Sequence, residues 1–330
     1  MTRLSGIDRR GFVTGILVAF AVPAGAGAQQ AGKVSRVGWL QPSQPPSGGY
    51  ANFRRAMREL GYLEGETVRF DDRWAHGRFD RLPGLAEDLV RLNVDGIVAI
   101  GTGSVRAAKE ATSTIPIVMG SSVDPVKAGL VTSLNRPGGN VTGVSILAPE
   151  VSAKRLDILK QALPGVTRVG VLAYRANPGT AEQITAIEAV AASLKLTIHL
   201  GYVERPGGYA EPFVRFTSER VGAVLVLTDT VLSSERARIV QLATRHRLPA
   251  FFDFRAGAEA GGLVSYGIDN LDLYRQTARF VDRILKGTKP ADLPVEQPTK
   301  FDLAINLETA RTLGISIAPA VLFRADHIVE

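Results

Sequence analysis

The sequence contains no cysteine among its 330 residues. A chain without cysteine can form no disulfide bond, no thiolate metal site and no thioester intermediate, and it has no N-terminal cysteine to carry a lipid. Its four histidines, which could also bind metal, are far apart and show no ligand spacing: His76, His199, His246 and His327. We therefore expect no metal ion in this protein.

The motifs of several common enzyme classes are also missing. The chain has no G-x-S-x-G nucleophile elbow, no H-E-x-x-H pair, no phosphate-binding P-loop and no calcium loop. Asp71 and Asp72 stand together and could suggest a pair of catalytic carboxylates. Adjacent residues of a strand point to opposite faces, however, so these two carboxylates cannot easily share a site. We expect no catalytic residues.

Long basic and long apolar runs are scarce. The formal net charge is +7, but lysine and arginine are scattered and never form a run of five. This distribution is typical of a solvated basic surface, so no nucleic-acid partner is expected. Beyond the N-terminal segment, no stretch approaches the 18 uninterrupted apolar residues of a membrane-spanning helix. We therefore expect the mature protein to be soluble.

The first 28 residues have the features of an export signal. Arg9 and Arg10 precede an apolar stretch at 12–22, and the small residues at 26–28 fit a cleavage site. The arginine pair resembles a twin-arginine signal, which exports folded proteins. Two neighbouring residues depart from that pattern, so the general export route stays open. We expect cleavage after residue 28 and location in the periplasm.

The remaining chain alternates between strand and helix patterns. Short apolar segments such as "GIVAIG" (96–101) alternate with amphipathic segments, for example at 51–61 and 178–195. We also predict a turn and helix at 125–134 and a helix at 233–246. This alternation favours doubly wound parallel sheets. The pattern V-[ST]-R-V-G-x-L occurs at 34–40 and again at 166–172, which indicates that the second half begins the arrangement anew. The sequence thus predicts an α/β fold with two doubly wound parallel-sheet lobes.

One glycine-rich turn raises the question of a nucleotide cofactor. In "IVAIGTGSVRAAKEAT" (97–112), Gly101-Thr102-Gly103 follows a strand pattern and opens a helix pattern, as a dinucleotide loop does. Asp124 follows about twenty residues later, as an acidic residue does in that motif. Arg106, however, occupies the place of the third glycine. We favour a protein without a cofactor and keep an exported NAD(P)-dependent oxidoreductase as the alternative.

Two long stretches carry a family resemblance. They are "ATSTIPIVMGSSVDPVKAGLVTSLNRPGGNVTGVS" and "AGGLVSYGIDNLDLYRQTARFVDRILKGTKPADLPVEQPTKFDLAINLETARTLGISI". From Val34 to Glu330 the chain resembles the periplasmic substrate-binding proteins of ABC importers that have the type I periplasmic-binding fold, a group that includes tryptophan-binding lipoproteins. The missing cysteine departs from the lipid-tethered members. The resemblance implies a monomer that captures a small molecule and passes it to the permease subunits.

The resemblance also implies a domain arrangement and a site. Two hinged lobes would consist of residues 29–145 with 271–300 and residues 146–270 with 301–330, and the ligand would lie between them. The implied ligand-binding residues are in loops after strands: Ser43, Gln44, Thr102, Gly103, Ser104, Ser121, Ser122, Asp124, Tyr174, Asn177, Asp229, Thr230, Asp253, Phe254 and Tyr266. Amides, carboxylates and aromatic rings together suit a zwitterion such as an amino acid. A neutral sugar is the main competitor, and a sensor that presents its ligand to a receptor is the alternative to transport.

Overall fold

Two β-sheets organise the chain in the computed structural model, which describes residues 34–45 and 47–330. The predicted export signal at 1–28 lies outside the described residues. The first sheet has five parallel strands in the order β2-β1-β3-β4-β5. Its strands are β1 (Ser35–Gln41), β2 (Val68–Trp74), β3 (Gly96–Ile100), β4 (Ile117–Ser121) and β5 (Val141–Gly143).

The second sheet has seven strands in the order β12-β11-β10-β9-β8-β6-β7. They are β6 (Arg168–Tyr174), β7 (Thr197–Val203), β8 (Ala223–Val226), β9 (Ala250–Phe252), β10 (Val264–Ile268), β11 (Phe301–Asn306) and β12 (His327–Val329). All neighbouring pairs are parallel except β10 with β11. The first five of these strands along the chain repeat the spatial order of the first sheet. The predicted fold class, with two doubly wound parallel-sheet lobes, is confirmed.

Helices connect the strands and cover the sheets. They are α1 (Gly48–Glu59), α2 (Leu82–Arg91), α3 (Thr102–Ala111), α4 (Ala148–Ala162), α5 (Thr180–Ala191), α6 (Ala210–Ser218), α7 (Thr230–Ser234), α8 (Arg236–Arg245), α9 (Arg255–Glu259), α10 (Asn270–Leu285), α11 (Leu307–Leu313) and α12 (Pro319–Leu322). Helix α10 follows the second sheet in sequence but packs on α1, β3, β4 and β5 of the first. The chain therefore passes between the sheets after β5, after β10 and before β11. The exact lobe boundaries expected from the sequence stay a prediction.

The repeated sequence pattern has a packing reason. It forms β1 and β6, the first strand of each sheet along the chain. A Cβ atom at Gly38 would lie 3.1 Å from the Leu89 side chain, and one at Gly170 would lie 2.9 Å from the Phe216 ring. Each glycine thus allows a helix side chain to pack directly on the strand, and apolar clusters fill both faces of both sheets.

Two predicted helices differ in the structure. The segment 125–134, predicted as a turn and helix, contains only turns, in which the carboxylate of Asp124 accepts a hydrogen bond from the Lys127 amide at 3.0 Å. The helix predicted at 233–246 is divided at Glu235 into α7 and α8. Helix α7 begins earlier than predicted because Asp229 caps its N-terminus.

Candidate functional site

A cavity of about 540 Å³ lies between the carboxyl ends of the strands of the two sheets. This is where open α/β sheets place ligands, and the volume falls in the range of small-molecule sites. Residues of the first sheet and its helices form one wall, including Ser47, Asn52, Gly101, Thr102, Ser121 and Ser122. The opposite wall comes from the second sheet, including Asn177, Thr228, Asp229, Ser233, Asp253 and Phe254.

The structure brings eight of the fifteen sequence-predicted residues to this cavity. They are Thr102, Ser121, Ser122, Asn177, Asp229, Thr230, Asp253 and Phe254. All eight follow or end a strand, which is why the sequence pattern could point to them. Their role as ligand contacts stays a prediction.

The other seven predicted residues lie outside the cavity lining. Ser43 is buried and its hydroxyl accepts a hydrogen bond from the Gln41 side chain at 2.7 Å. Gln44 is exposed and donates to Glu235. Gly103 packs against the ring of Phe79, and Ser104 is completely buried. These residues support the walls rather than form them.

Asp124, Tyr174 and Tyr266 complete this second group. Asp124 caps the turn described above. Tyr174 is buried, and its hydroxyl donates to the carbonyl oxygen of Gly77 at 2.7 Å. Tyr266 stacks on Phe301 with ring centroids 6.0 Å apart. Each side chain already has a partner within the protein.

The Asp229 carboxylate serves the protein's own structure as well as the cavity. One oxygen accepts hydrogen bonds from the backbone amides of Val231 and Leu232 at 2.7 and 2.8 Å, which caps α7. The other oxygen accepts a hydrogen bond from the Asn177 amide at 2.5 Å. Burial raises the pKa of Asp229, whereas these hydrogen bonds lower it. Both oxygens therefore have partners before any ligand is present.

Asp253 is a second buried carboxylate of the cavity lining. It directly follows β9, and the Ser233 hydroxyl donates to its Oδ2 at 3.2 Å, while hydrogen bonds from the backbone amides of Asp253 and Phe254 also lower its pKa. Burial raises the pKa of Asp253 to about 6, although the charge of Arg155 opposes the shift. A cationic ligand group would relieve this unfavourable burial of a carboxylate.

Arg155 supplies the positive charge beneath this wall. It lies on α4 and is completely buried, and burial lowers its pKa to about 10, so it stays protonated at neutral pH. Its guanidinium donates to the carbonyl oxygen of Val226 at 2.7 Å and to the hydroxyls of Ser152 and Thr228 at 2.9 and 2.7 Å. These bonds fix the end of β8, from which Asp229 extends.

Aromatic rings give the cavity an apolar part. Phe79, Phe252, Phe254 and Tyr274 belong to its lining. Thr102 accepts a hydrogen bond from the Val123 amide at 3.1 Å, which ties the glycine-rich turn at 101–103 to the segment after β4. Gly101, with φ of +81°, begins α3 at this turn. The turn thus forms part of a cavity wall that has both polar and apolar side chains.

Sequence reasoning missed several lining residues. Among them are Gln41, Ser47, Asn52, Arg55, Arg236, Arg255, Asp269 and Tyr274. Ser47 and Asp269 cap α1 and α10, and each precedes a helix pattern, so a capping signal could have indicated them. Asn52, Arg55 and Tyr274 lie within helices, where the periodicity alone carries no sign of a ligand.

None of the helices in residues 34–45 and 47–330 has the length and apolar character needed to cross a membrane. The same residues contain no cluster of three or more histidine, aspartate or glutamate side chains that could hold a metal ion.

Comparison with known proteins identifies relatives of this chain. The ABC transporter substrate binding protein family matches residues 48–329. A curated tyrosine-binding protein from Clostridioides difficile is 28% identical over 267 residues, which is 80% of this chain and 75% of that protein. The chain thus matches the family over most of its length.

Solved structures agree with this result. The ABC domain from Streptococcus pneumoniae in complex with L-Trp is 30% identical, has a TM-score of 0.80, and covers 89% of this chain and 99% of its own. A leucine-binding protein from Thermotoga maritima shares the fold at 14% identity, with a TM-score of 0.56 over 77% of this chain and 83% of its own. With two lobes, an interlobe cavity and a family match over most of its length, this chain belongs to the ABC transporter substrate-binding proteins.

Proposed function

We propose that this protein captures an amino acid in the interlobe cavity and delivers it to the permease of an ABC importer. The observation that carries the proposal is that a buried carboxylate, Asp253, and aromatic rings line the same cavity. An α-ammonium group would compensate Asp253, and an apolar or aromatic side chain would pack on Phe254 and Tyr274. The tyrosine- and tryptophan-binding relatives support this choice of ligand class.

The ligand's carboxylate also has suitable surroundings. The hydroxyls of Ser121 and Ser122 and the amide of Asn52 lie on the wall opposite Asp253. Arg55 on α1 adds positive charge to this opposite wall. Opposite charges on the two walls would orient a zwitterion across the cavity, so closure of the lobes would complete its binding.

The proposal places the protein outside the cytoplasm. Its predicted export signal and its family support location in the periplasm, where a monomer would load and then meet the permease. Binding and release without chemical change of the ligand would be its whole activity. A role in sensing would use the same cavity, so transport itself has to be measured.

A thermal-shift panel tests the ligand class. Purified protein is heated with single L-amino acids, neutral sugars, small carboxylates and nicotinamide cofactors. The same panel is repeated with the Asp253→Asn variant. An amino acid at a hundred times its dissociation constant should add about 2.7 kcal/mol of stability to the wild type. Asp253→Asn should lose most of that shift. Stabilisation by sugars alone, or by a nicotinamide cofactor, would reject the amino-acid assignment.

Uptake of the identified amino acid tests delivery. Cells that lack the gene should import the labelled amino acid more slowly, and the wild-type gene should restore the rate whereas the Asp253→Asn gene should not. Normal uptake without the gene would show that the protein does not serve transport and would favour the sensor.

A further inference from the structure

Three residues join the two lobes at one edge of the cavity. Tyr174 ends β6 of the second sheet, whereas Gly77 and Phe79 follow β2 of the first. The Tyr174 hydroxyl donates to the Gly77 carbonyl oxygen at 2.7 Å. The rings of Tyr174 and Phe79 are 5.9 Å apart between centroids. The lobes thus touch through a hydrogen bond and an aromatic contact that involve no ligand.

The approach at Gly77 is too close for a side chain. A Cβ atom there would lie 2.7 Å from Cγ of Pro206, which belongs to the second lobe, and 3.2 Å from the Tyr174 hydroxyl. Gly77 also has φ of +80°, a conformation that other residues rarely adopt. Hydrogen bonds hold the loop in this position, since the amides of His76 and Gly77 donate to the carbonyl oxygens of Ser43 and Pro42 at 3.2 and 2.6 Å.

Phe79 connects this contact to the cavity. Its ring packs against buried residues of both lobes and also lines the cavity. On the other side, the loop after Tyr174 carries Asn177, whose side chain donates to Asp229. The backbone carbonyl of Tyr174 accepts hydrogen bonds from the Asn177 amide and the Thr180 hydroxyl at 3.2 and 2.9 Å. The loop that follows Tyr174 therefore forms part of the cavity wall through Asn177.

We infer that Tyr174, Gly77 and Phe79 form a latch that stabilises the closed arrangement of the lobes and slows ligand release without touching the ligand. The bond can form only when the lobes meet, because its donor and acceptor lie on different lobes. The latch would add to affinity by lowering the free energy of the closed state relative to the open state. A measurement of the latch through ligand release rests on the proposed function. A measurement of lobe closure without ligand does not.

Tyr174→Phe removes the hydroxyl and keeps the ring. The expected result is a five- to tenfold faster dissociation of the amino acid found in the panel, with little change in the association rate. Tyr62→Phe is the matched control, because its hydroxyl donates to Asp282 at 3.0 Å within the first lobe. The control should leave both rates unchanged. Equal effects of the two substitutions, or no effect of Tyr174→Phe, would overturn the latch.

A second experiment needs no ligand. Because the chain has no cysteine, the double substitution Val123→Cys with Gly179→Cys introduces the only two thiols, one on each lobe and both outside the latch. A Cβ atom at residue 179 would lie 3.4 Å from Cβ of Val123, close to the separation in disulfides. Under a mild thiol-disulfide buffer, oxidation of this pair should be at least fivefold slower when Tyr174→Phe is added, and unchanged when Tyr62→Phe is added. An unchanged rate with Tyr174→Phe, or failure of the pair to oxidise at all, would reject the latch even if the ligand assignment stands.

Discussion

The guanidinium of Arg155 lies 2.7 Å from the hydroxyl oxygen of Thr228, so a completely buried cation holds a residue of the cavity wall. The same side chain reaches the end of β8 through Val226. Its charge also opposes the rise in the pKa of Asp253. One residue on α4 therefore supports both the position and the charge of the proposed ammonium site.

Replacement of Arg155 should change both properties. Arg155→Met leaves the Val226 carbonyl and the Thr228 hydroxyl without this donor, and the free energy of unfolding should fall by about 3–5 kcal/mol. It should also raise the pKa of Asp253 further, so that the pH at which ligand binding is half lost moves upward. Arg155→Lys keeps the charge and should move that pH much less. Urea unfolding measures the change in stability, and binding titrations at several pH values measure the pH at which binding is half lost. If that pH were the same for Arg155→Met and Arg155→Lys, the electrostatic role of Arg155 would be contradicted.

Ligand binding should weaken in mild acid. Because the pKa of Asp253 is about 6 without ligand, the carboxyl group is mostly ionised at neutral pH and mostly protonated at pH 5. A cationic ligand group favours the ionised form, so its affinity should fall about tenfold for each pH unit below 6. Calorimetric titrations between pH 5 and 8 test this. A flat profile would show that Asp253 does not pair with the ligand.

Asp253 should also lower the stability of the empty protein at neutral pH. Its folded pKa of about 6 lies above the ordinary value of 3.8. The folded state therefore binds the proton more tightly, and the stability that this group contributes is complete below about pH 4 and lost as pH rises through 6. Asp253→Asn should stabilise the ligand-free protein by about 1–3 kcal/mol at pH 7. At pH 4 the variant and the wild type should unfold at similar urea concentrations. If Asp253→Asn were less stable than the wild type at pH 7, the raised pKa of Asp253 would not be the cause of the stability difference.

Substitutions of Asp229 should change the stability of the protein more clearly than its affinity for the amino acid. Asp229→Ala removes the cap of α7 and should lower the free energy of unfolding by about 1 kcal/mol. Asp229→Asn keeps an oxygen acceptor and should preserve more of that stability. Because both oxygens of Asp229 already have partners, Asp229→Asn should weaken amino-acid binding less than Asp253→Asn does. The reverse order of affinities would assign the ammonium partner to Asp229.

Export should depend on the arginine pair of the leader. Replacement of both Arg9 and Arg10 by lysine should block accumulation in the periplasm if the twin-arginine route carries the protein. Immunoblots of fractionated cells measure this, with a single replacement elsewhere in residues 1–28 as the control. Unchanged accumulation would assign export to the general route.

The fold was predictable because each sheet follows a local pattern. Apolar strand segments, helix faces and the repeat at β1 and β6 all depend on neighbours a few residues apart. The antiparallel entry of β11 beside β10 depends on a distant pairing, and the local pattern carries no sign of it. The break between α7 and α8 likewise depends on the cap at Asp229.

The site was predictable only as far as strand ends indicate it. Asp253 and Phe254 directly follow β9, so the pattern of parallel strands points to them. Tyr274 and Asn52 reach the cavity from α10 and α1, through packing that the local sequence does not encode. Tyr174 also ends a strand, yet its hydroxyl bonds to the other lobe at Gly77, and only the assembled structure separates that contact from a ligand contact.

Strands β1 and β12 belong to different sheets, and both run so that Ser35 and Val329 lie at the ends remote from the cavity. A rotation of one lobe on the other is therefore converted into a change of distance or orientation between opposite extremes of the molecule. Donor and acceptor fluorophores attached beside these two strands would report closure as a change in resonance energy transfer. The strand topology therefore makes this protein suitable for use as an optical sensor of its own ligand.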